Sequence, residues 1–114
     1  MNTRPLLIAA GLFIAAQSAL ADGDTANGQK LFQGGPCSSC HGKDGLGTAN
    51  QYPILAGQYK DYLIQALREY KNGGRNNPIM KGMAANLSDQ DIKDIAEYLS
   101  GLPGPLGTIP KAGD

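Results

Sequence analysis

The run Cys37-Ser38-Ser39-Cys40-His41 constrains this chain more than any other feature. It is a C-x-x-C-H pattern, which is typical of covalent c-type haem attachment. A thiol can add across a haem vinyl group to give a stable thioether. Two cysteines three apart fit one helical turn, so both sulfurs can reach one edge of the porphyrin. We therefore expect Cys37 and Cys40 to attach one haem c and His41 to be an axial ligand of its iron.

A Cys-x-x-Cys pair has other interpretations: a disulfide, half of a zinc site or a thioredoxin-like redox pair. A closed zinc site normally has four ligands. The sequence contains two cysteines and one histidine, so such a site would need a carboxylate. The thioredoxin interpretation requires a βαβ context, which the sequence does not show. Two exported cysteines could simply pair with each other, but the adjacent histidine favours haem.

The first 21 residues predict a secretory signal peptide. Arg4 gives a positive start, residues 6–16 form an apolar stretch without charge, and Ala19-Leu20-Ala21 is a small-x-small cleavage site. We expect cleavage after Ala21 and export to the periplasm. A retained membrane anchor is the alternative, but the apolar run is short against the roughly 20 residues that a transmembrane helix needs.

Composition predicts one small domain with a limited apolar core. The sequence has no Trp, two Phe and 16 Gly, and a domain of this kind often needs a cross-link or a bound group. We expect a domain at residues 22–102, with a covalent haem at the centre of its core, and a Pro/Gly-rich tail at 103–114. Ten Lys and Arg balance ten Asp and Glu, and this neutrality argues against a nucleic-acid partner.

The patterning predicts an all-α domain without strands or repeats. The first helix is expected from Thr25 to about Gln33, with Asp24 or Thr25 as its N-cap. Cys37 to His41 is expected to form a turn, and residues 42–57 a loop.

Two further helices are predicted by apolar periodicity. The first begins at Tyr59, stops at Asn72-Gly73-Gly74, and is followed by a loop at 74–86. The last has Ser88 as its N-cap and closes at Gly101. The apolar stripe of the helix that begins at Tyr59 contains Tyr59, Tyr62, Leu63, Ala66, Leu67 and Tyr70. The buried stripe of the last helix contains Ile92, Ile95, Ala96 and Leu99.

A haem held by His41 needs a second axial ligand or an open site. The sequence has one histidine, so two histidine ligands from one chain are excluded. Methionine is a natural partner, because its soft thioether raises the reduction potential. Met1 lies in the predicted signal, which leaves Met80 and Met83 on the predicted loop. Their spacing does not choose between them, and either could simply fill the core.

Four segments in this order resemble small bacterial class I cytochromes c: residues 37–42, 52–58, 80–83 and 87–92. The chain is similar to single-domain relatives of the periplasmic dihaem cytochromes c over residues 24–102. The resemblance implies an all-α class I cytochrome c fold, with three to five helices wrapped around one covalently attached haem.

The resemblance also implies residue roles. Met80 would be the second axial ligand, with Met83 packed nearby, and the Pro53 carbonyl would accept the His41 Nδ1 hydrogen. Further implied positions are Gly28 and Phe32, which would cross the last helix near Ile95 and Tyr98, and Gln58, Tyr59 and Arg75, which are candidates near the haem edge or its propionates.

The expected function is one-electron transport between redox partners, without enzymatic activity or a small-molecule substrate. The partners would be membrane-bound or periplasmic oxidoreductases of a respiratory chain. A haem-carrying subunit of a larger oxidoreductase is the alternative, and a thiol redox or metal-binding protein is a third. A catalyst or gas sensor with an open coordination position at the haem iron is a further alternative, which the sequence supports less. Five cations could surround an exposed haem edge or form an ordinary solvated surface: Lys43, Lys60, Lys71, Arg75 and Lys81.

Overall fold

A computed structural model describes residues 22–106, and this part of the chain contains five α-helices and no strand. The helices are α1 (Thr25–Gly34), α2 (Cys37–His41), α3 (Lys60–Asn72), α4 (Pro78–Ala84) and α5 (Asp89–Gly101). The all-α prediction is confirmed. The predicted signal peptide, its cleavage site and tail residues 107–114 lie outside the described residues.

Side-chain caps define the starts of α1 and α5. Asp24, rather than Thr25, is the N-cap of α1, since its carboxylate accepts from the Asn27 backbone N–H at 3.0 Å. Ser88 caps α5 as predicted and forms a capping box with Asp91. Each cap satisfies backbone donors that have no partner inside the helix.

Helix α1 crosses α5 at very close range. A Cβ atom on Gly28 would lie 1.9 Å from the Asp94 carbonyl oxygen, so only glycine fits at this crossing. One turn further on, the rings of Phe32 and Tyr98 lie 5.9 Å apart, centroid to centroid. The implied crossing of Gly28 and Phe32 over the last helix is therefore confirmed.

Asp94 joins the start of α1 to the middle of α5 although its side chain is buried. Its carboxylate accepts from the Asp24 backbone N–H and the Asn27 side chain, both at 2.7 Å, and from the Gln90 side chain at 2.8 Å. Burial raises the pKa of Asp94, but these hydrogen bonds outweigh it and hold the pKa below its ordinary value.

The core lies where α1 and α3 meet α5. Its buried cluster contains Phe32, Leu63, Ile95, Ala96, Tyr98 and Leu99. The predicted buried stripe of α5 is confirmed. On α3, Leu63 and Ala66 are buried, whereas Tyr59 and Tyr62, at the beginning of the predicted apolar stripe, are 49% and 45% exposed.

The prediction of a continuous loop at 74–86 is wrong, because α4 lies within it. Asn77 is the N-cap of α4, and its side chain accepts from the backbone N–H groups of Ile79 and Met80. Pro78 follows at the first helical position, where its missing N–H costs nothing. Met80 and Met83 therefore lie on a short helix.

Residues 42–57 form an irregular segment, as predicted, and pack against the beginning of the tail. The Gly45 carbonyl accepts from the backbone N–H groups of Leu55 and Ala56 at 2.7 and 3.1 Å. A Cβ atom on Gly104 would lie 2.5 Å from the Ala56 carbonyl oxygen. Among residues 22–106, no helix combines the length and the apolar character that a membrane span requires.

Replacing Gly28 with alanine should lower the free energy of unfolding by about 1–3 kcal/mol, because α1 and α5 must move apart. Gly34→Ala is the matched control on the same helix, since a Cβ atom there meets nothing within 4 Å. The control should be neutral or stabilising by up to about 1 kcal/mol. Denaturant unfolding of the intact protein measures both, and equal midpoints would contradict the close crossing.

Replacing Asp94 with asparagine should lower the free energy of unfolding at pH 7 by about 1–3 kcal/mol, because an amide cannot accept all three hydrogen bonds. The folded pKa of Asp94 is lowered. Its contribution is therefore present above the unfolded value of about 3.9 and is lost as pH falls through the folded pKa. Unfolding curves from pH 7 to pH 2 should show a weaker acid dependence in Asp94→Asn.

Candidate functional site

The two cysteines and the histidine lie on α2, which begins three residues after α1 ends. The predicted turn at Cys37–His41 is thus a short helix. The Ser38 hydroxyl donates to the Gln33 carbonyl at 3.2 Å and so ties α2 to the last turn of α1. Cys37 and Cys40, three residues apart, lie on neighbouring positions of one helix face.

Both cysteines are free thiols and partly buried. Burial raises the pKa of the Cys37 thiol above its ordinary value, although a backbone hydrogen bond opposes the shift. A reactive redox cysteine has a lowered pKa instead. The surroundings of Cys37 therefore do not favour the thioredoxin interpretation.

His41 is buried, with 8% of its surface exposed. Its Nδ1 lies 3.0 Å from the Pro53 carbonyl oxygen, as the resemblance implies. Since a carbonyl oxygen can only accept, Nδ1 carries the hydrogen and donates it. Nε2 then keeps its lone pair, and this is the tautomer that a metal ligand requires. The arrangement fits an axial ligand of haem iron.

The segment after α2 satisfies carbonyl groups at the end of that helix. The His41 carbonyl accepts from the Gly47 backbone N–H at 2.7 Å. The Cys40 carbonyl accepts from both the backbone N–H and the hydroxyl of Thr48, each at 2.9 Å. Gly47 has φ +80, which favours glycine. Sequence reasoning missed Gly47 and Thr48.

Helix α4 presents Met80 and Met83 differently. Met80 is partly buried, and the fully buried Ala84 lies one turn further along the same face. Met83 is 40% exposed and lies on the same side of α4 as Ile79, which is 67% exposed. Side chains four residues apart lie on one helix face. Met80 is therefore the less exposed of the two methionines, and its assignment as the second ligand stays a prediction from the motif order.

Three of the five predicted edge cations have partners within the chain. Lys60 Nζ lies 3.0 Å from a Glu97 carboxylate oxygen, and Lys71 donates to the Leu87 carbonyl. Arg75 pairs with Glu69 at 2.8 Å, and the Gln58 side chain accepts from the Tyr59 backbone N–H. The roles of Gln58, Tyr59, Arg75 and the lysines at a haem edge stay predictions.

The described residues offer no alternative metal cluster. Within residues 22–106, no three His, Cys, Asp or Glu side chains converge into a group that could hold a metal ion. The carboxylate that a closed zinc site would need is therefore not close to Cys37, Cys40 and His41 in this part of the chain.

The cytochrome c family description matches residues 25–103 of the chain. Cytochrome c-554(548) of Halomonas halodenitrificans is 46% identical over 81 residues, which are 68% of this chain and 95% of that protein. A thiosulfate dehydrogenase electron acceptor of Stutzerimonas stutzeri is 38% identical over 109 residues, which are 89% of this chain and 48% of that protein.

The structure of Acidithiobacillus ferrooxidans cytochrome c4 superposes with a TM-score of 0.68 and 39% sequence identity. The superposition covers 71% of this chain and 51% of that chain. This chain thus spans about half the length of several relatives that it matches. The class I cytochrome c fold expected from the motif order is confirmed.

Proposed function

This chain belongs to the cytochrome c family, and from that membership we propose that it is a periplasmic one-electron carrier with one covalently bound haem c. The observation that carries the proposal is the buried His41, which follows two free cysteines on the same short helix. Its Nδ1 is held by the Pro53 carbonyl oxygen. This arrangement supplies two thiols for attachment and one oriented imidazole for the iron.

We propose that Cys37 and Cys40 form the two thioethers. Their place on one face of α2 supports this role, because both sulfurs can then meet one edge of a planar group. The sequence contains no further cysteine and no further histidine, which supports one haem per chain. Covalent attachment would retain the haem in a domain whose largest fully buried side chains are Phe32 and Ile92.

We propose His41 and Met80 as the axial ligands. The Pro53 carbonyl fixes the orientation and tautomer of the imidazole and raises its basicity. Met80 supplies a soft thioether that favours the reduced metal and raises the potential. Bound haem would accept and release one electron at its iron. With both axial positions filled by protein atoms, the chain leaves no coordination position for a substrate, which supports transport over catalysis.

The proposed partners are redox proteins that deliver or accept single electrons. The similarity to a thiosulfate dehydrogenase electron acceptor supports an oxidoreductase as the donor. Encounters of this kind usually bury less than about 1,200 Å² and are short-lived. No feature of the described residues favours a nucleic-acid partner.

A haem-carrying subunit of a larger oxidoreductase is the second candidate function. The chain matches about half the length of several cytochromes c4, so the same domain also forms part of longer chains. A stable stoichiometric complex in native extracts would favour this role over a free carrier.

The proposed organisation of the chain has three parts. Residues 1–21 are a signal peptide that is cleaved after Ala21, residues 22–102 are the cytochrome c domain, and residues 103–114 are a Pro/Gly-rich tail. Residues 103–106 follow Leu102, the C-cap residue of α5, and the close approach of Gly104 to Ala56 supports a tail that begins against the domain.

The intact mass of the protein purified from the periplasm should equal residues 22–114 plus one haem. Thioether bonds survive denaturation, so the haem mass should remain on the chain in denaturing solvent. Cys37→Ala with Cys40→Ala should remove it, whereas Ser39→Ala should retain it. A mass that includes residues 1–21 would indicate a retained anchor, and a haem-free mass would contradict the proposed cofactor.

Replacing Met80 with alanine should abolish the weak red absorption band that methionine-ligated ferric haem shows. It should also lower the reduction potential, because the thioether that favours the reduced iron is lost. Met83→Ala is the matched control on the same helix and should retain the band, since Met83 is not the proposed ligand. Loss of the band in Met83→Ala alone would reverse the assignment.

A further inference from the structure

Arg75 lies in the connection between α3 and α4, five residues before Met80. We infer that Arg75 is a positioning residue that holds α4, and through it the Met80 thioether, at the iron. This inference rests on the proposed ligation of haem by His41 and Met80. It is a separate role from the expected propionate contact, because it rests on the partners that the guanidinium has within the chain.

The Arg75 side chain is fixed from three sides. Its Nε donates to the Glu69 carboxylate at 2.8 Å, and its Nη2 donates to the Tyr62 hydroxyl at 3.3 Å. The guanidinium carbon lies 5.3 Å from the Tyr62 ring centroid and 5.5 Å from that of Tyr70. Both distances are within the range of cation–π attraction. All three partners belong to α3.

The backbone of Arg75 is held to α3 as well. Its N–H donates to the Glu69 carbonyl at 3.1 Å, and its own carbonyl accepts from the Asn77 N–H at 3.2 Å. Glu69 is itself held by the Gln65 side chain, which donates to its carboxylate at 2.8 Å. Arg75 therefore connects the last turns of α3 to the N-cap residue of α4.

Asn77 completes the connection to Met80. Its side-chain oxygen accepts from the Met80 backbone N–H at 3.0 Å and from the Ile79 N–H at 3.1 Å. A continuous series of hydrogen bonds thus runs from Glu69 through Arg75 and Asn77 to the backbone of Met80. An isolated helix of seven residues would not be stable, so this series, together with the packing of α4 on α3, fixes the backbone from which the Met80 side chain extends.

Arg68 provides a matched control on α3, the helix that carries the side-chain partners of Arg75. It makes a two-point pair with Asp89, at 2.7 and 2.8 Å. This pair joins α3 to the first residue of α5 and contacts neither Asn77 nor Met80. Arg68→Gln therefore removes an arginine–carboxylate pair without touching the connection into α4.

The test measures the binding of imidazole to the ferric holoprotein. Binding is monitored by the loss of the weak red band as imidazole displaces the methionine. Arg75→Gln should bind imidazole roughly fivefold more tightly than the parent, which corresponds to the loss of about one hydrogen bond of net stabilisation. Asn77→Ala should act in the same direction, and Asn77→Ser, which retains a cap acceptor, should recover most of the difference. Arg68→Gln should leave the imidazole affinity unchanged.

Two outcomes would overturn the inference, and they differ in what they leave standing. If Arg75→Gln and Arg68→Gln bind imidazole equally while Met80→Ala has lost the red band, Met80 ligation holds and Arg75 has no positioning role. If the parent shows no red band that Met80→Ala removes, the ligation itself fails and the inference fails with it. Denaturant unfolding of both arginine variants separates a change in imidazole affinity from a general loss of stability.

Discussion

The contact of α1 with α5 at Gly28 is the constraint on which the other elements depend. With a Cβ only 1.9 Å from the Asp94 carbonyl oxygen, no larger residue permits this approach. The buried Asp94 carboxylate then fixes the first turn of α1 by accepting from Asp24 and Asn27. Because only two residues separate α2 from α1, the orientation of α1 also determines where α2 places the two cysteines and His41.

Helix α5 also supports His41 through the irregular segment at 42–57. The Gly57 backbone N–H donates to the Leu99 carbonyl at 2.9 Å, four residues after Pro53, whose carbonyl holds the imidazole. The positive φ angles of Gly45, Gly47 and Gly57 let this segment fold back on α2 and α5. His41 is therefore held at its backbone by α2 and at its ring by a segment anchored to α5.

Much of this arrangement could be predicted from the sequence, because it depends on interactions between residues that are close together in the chain. The capping residues Asp24 and Ser88 and the apolar period of α5 each report on a few neighbouring residues. Helix α4 was missed although Asn77-Pro78 is a start signal, since the glycines around it favoured a loop. The exposure of Tyr59 and Tyr62 could not be predicted, because periodicity shows which side chains share a face and not what covers that face. The bonds of Thr48 to Cys40 join residues across an irregular segment, where no period exists.

The two sides of the proposed iron centre are supported unequally. The His41 side rests on α1, α2, α5 and the segment at 42–57, all tied by backbone hydrogen bonds or close packing. The Met80 side rests on one short helix, and among the described elements that helix packs mainly on α3. Its N-cap and the Arg75 connection are partly exposed to water, where each hydrogen bond or ion pair contributes a small but measurable stabilisation. A disturbance of the fold would therefore release the methionine before the histidine. Changes confined to α4 and its connection can then adjust the iron's environment while the α1–α5 crossing stays intact.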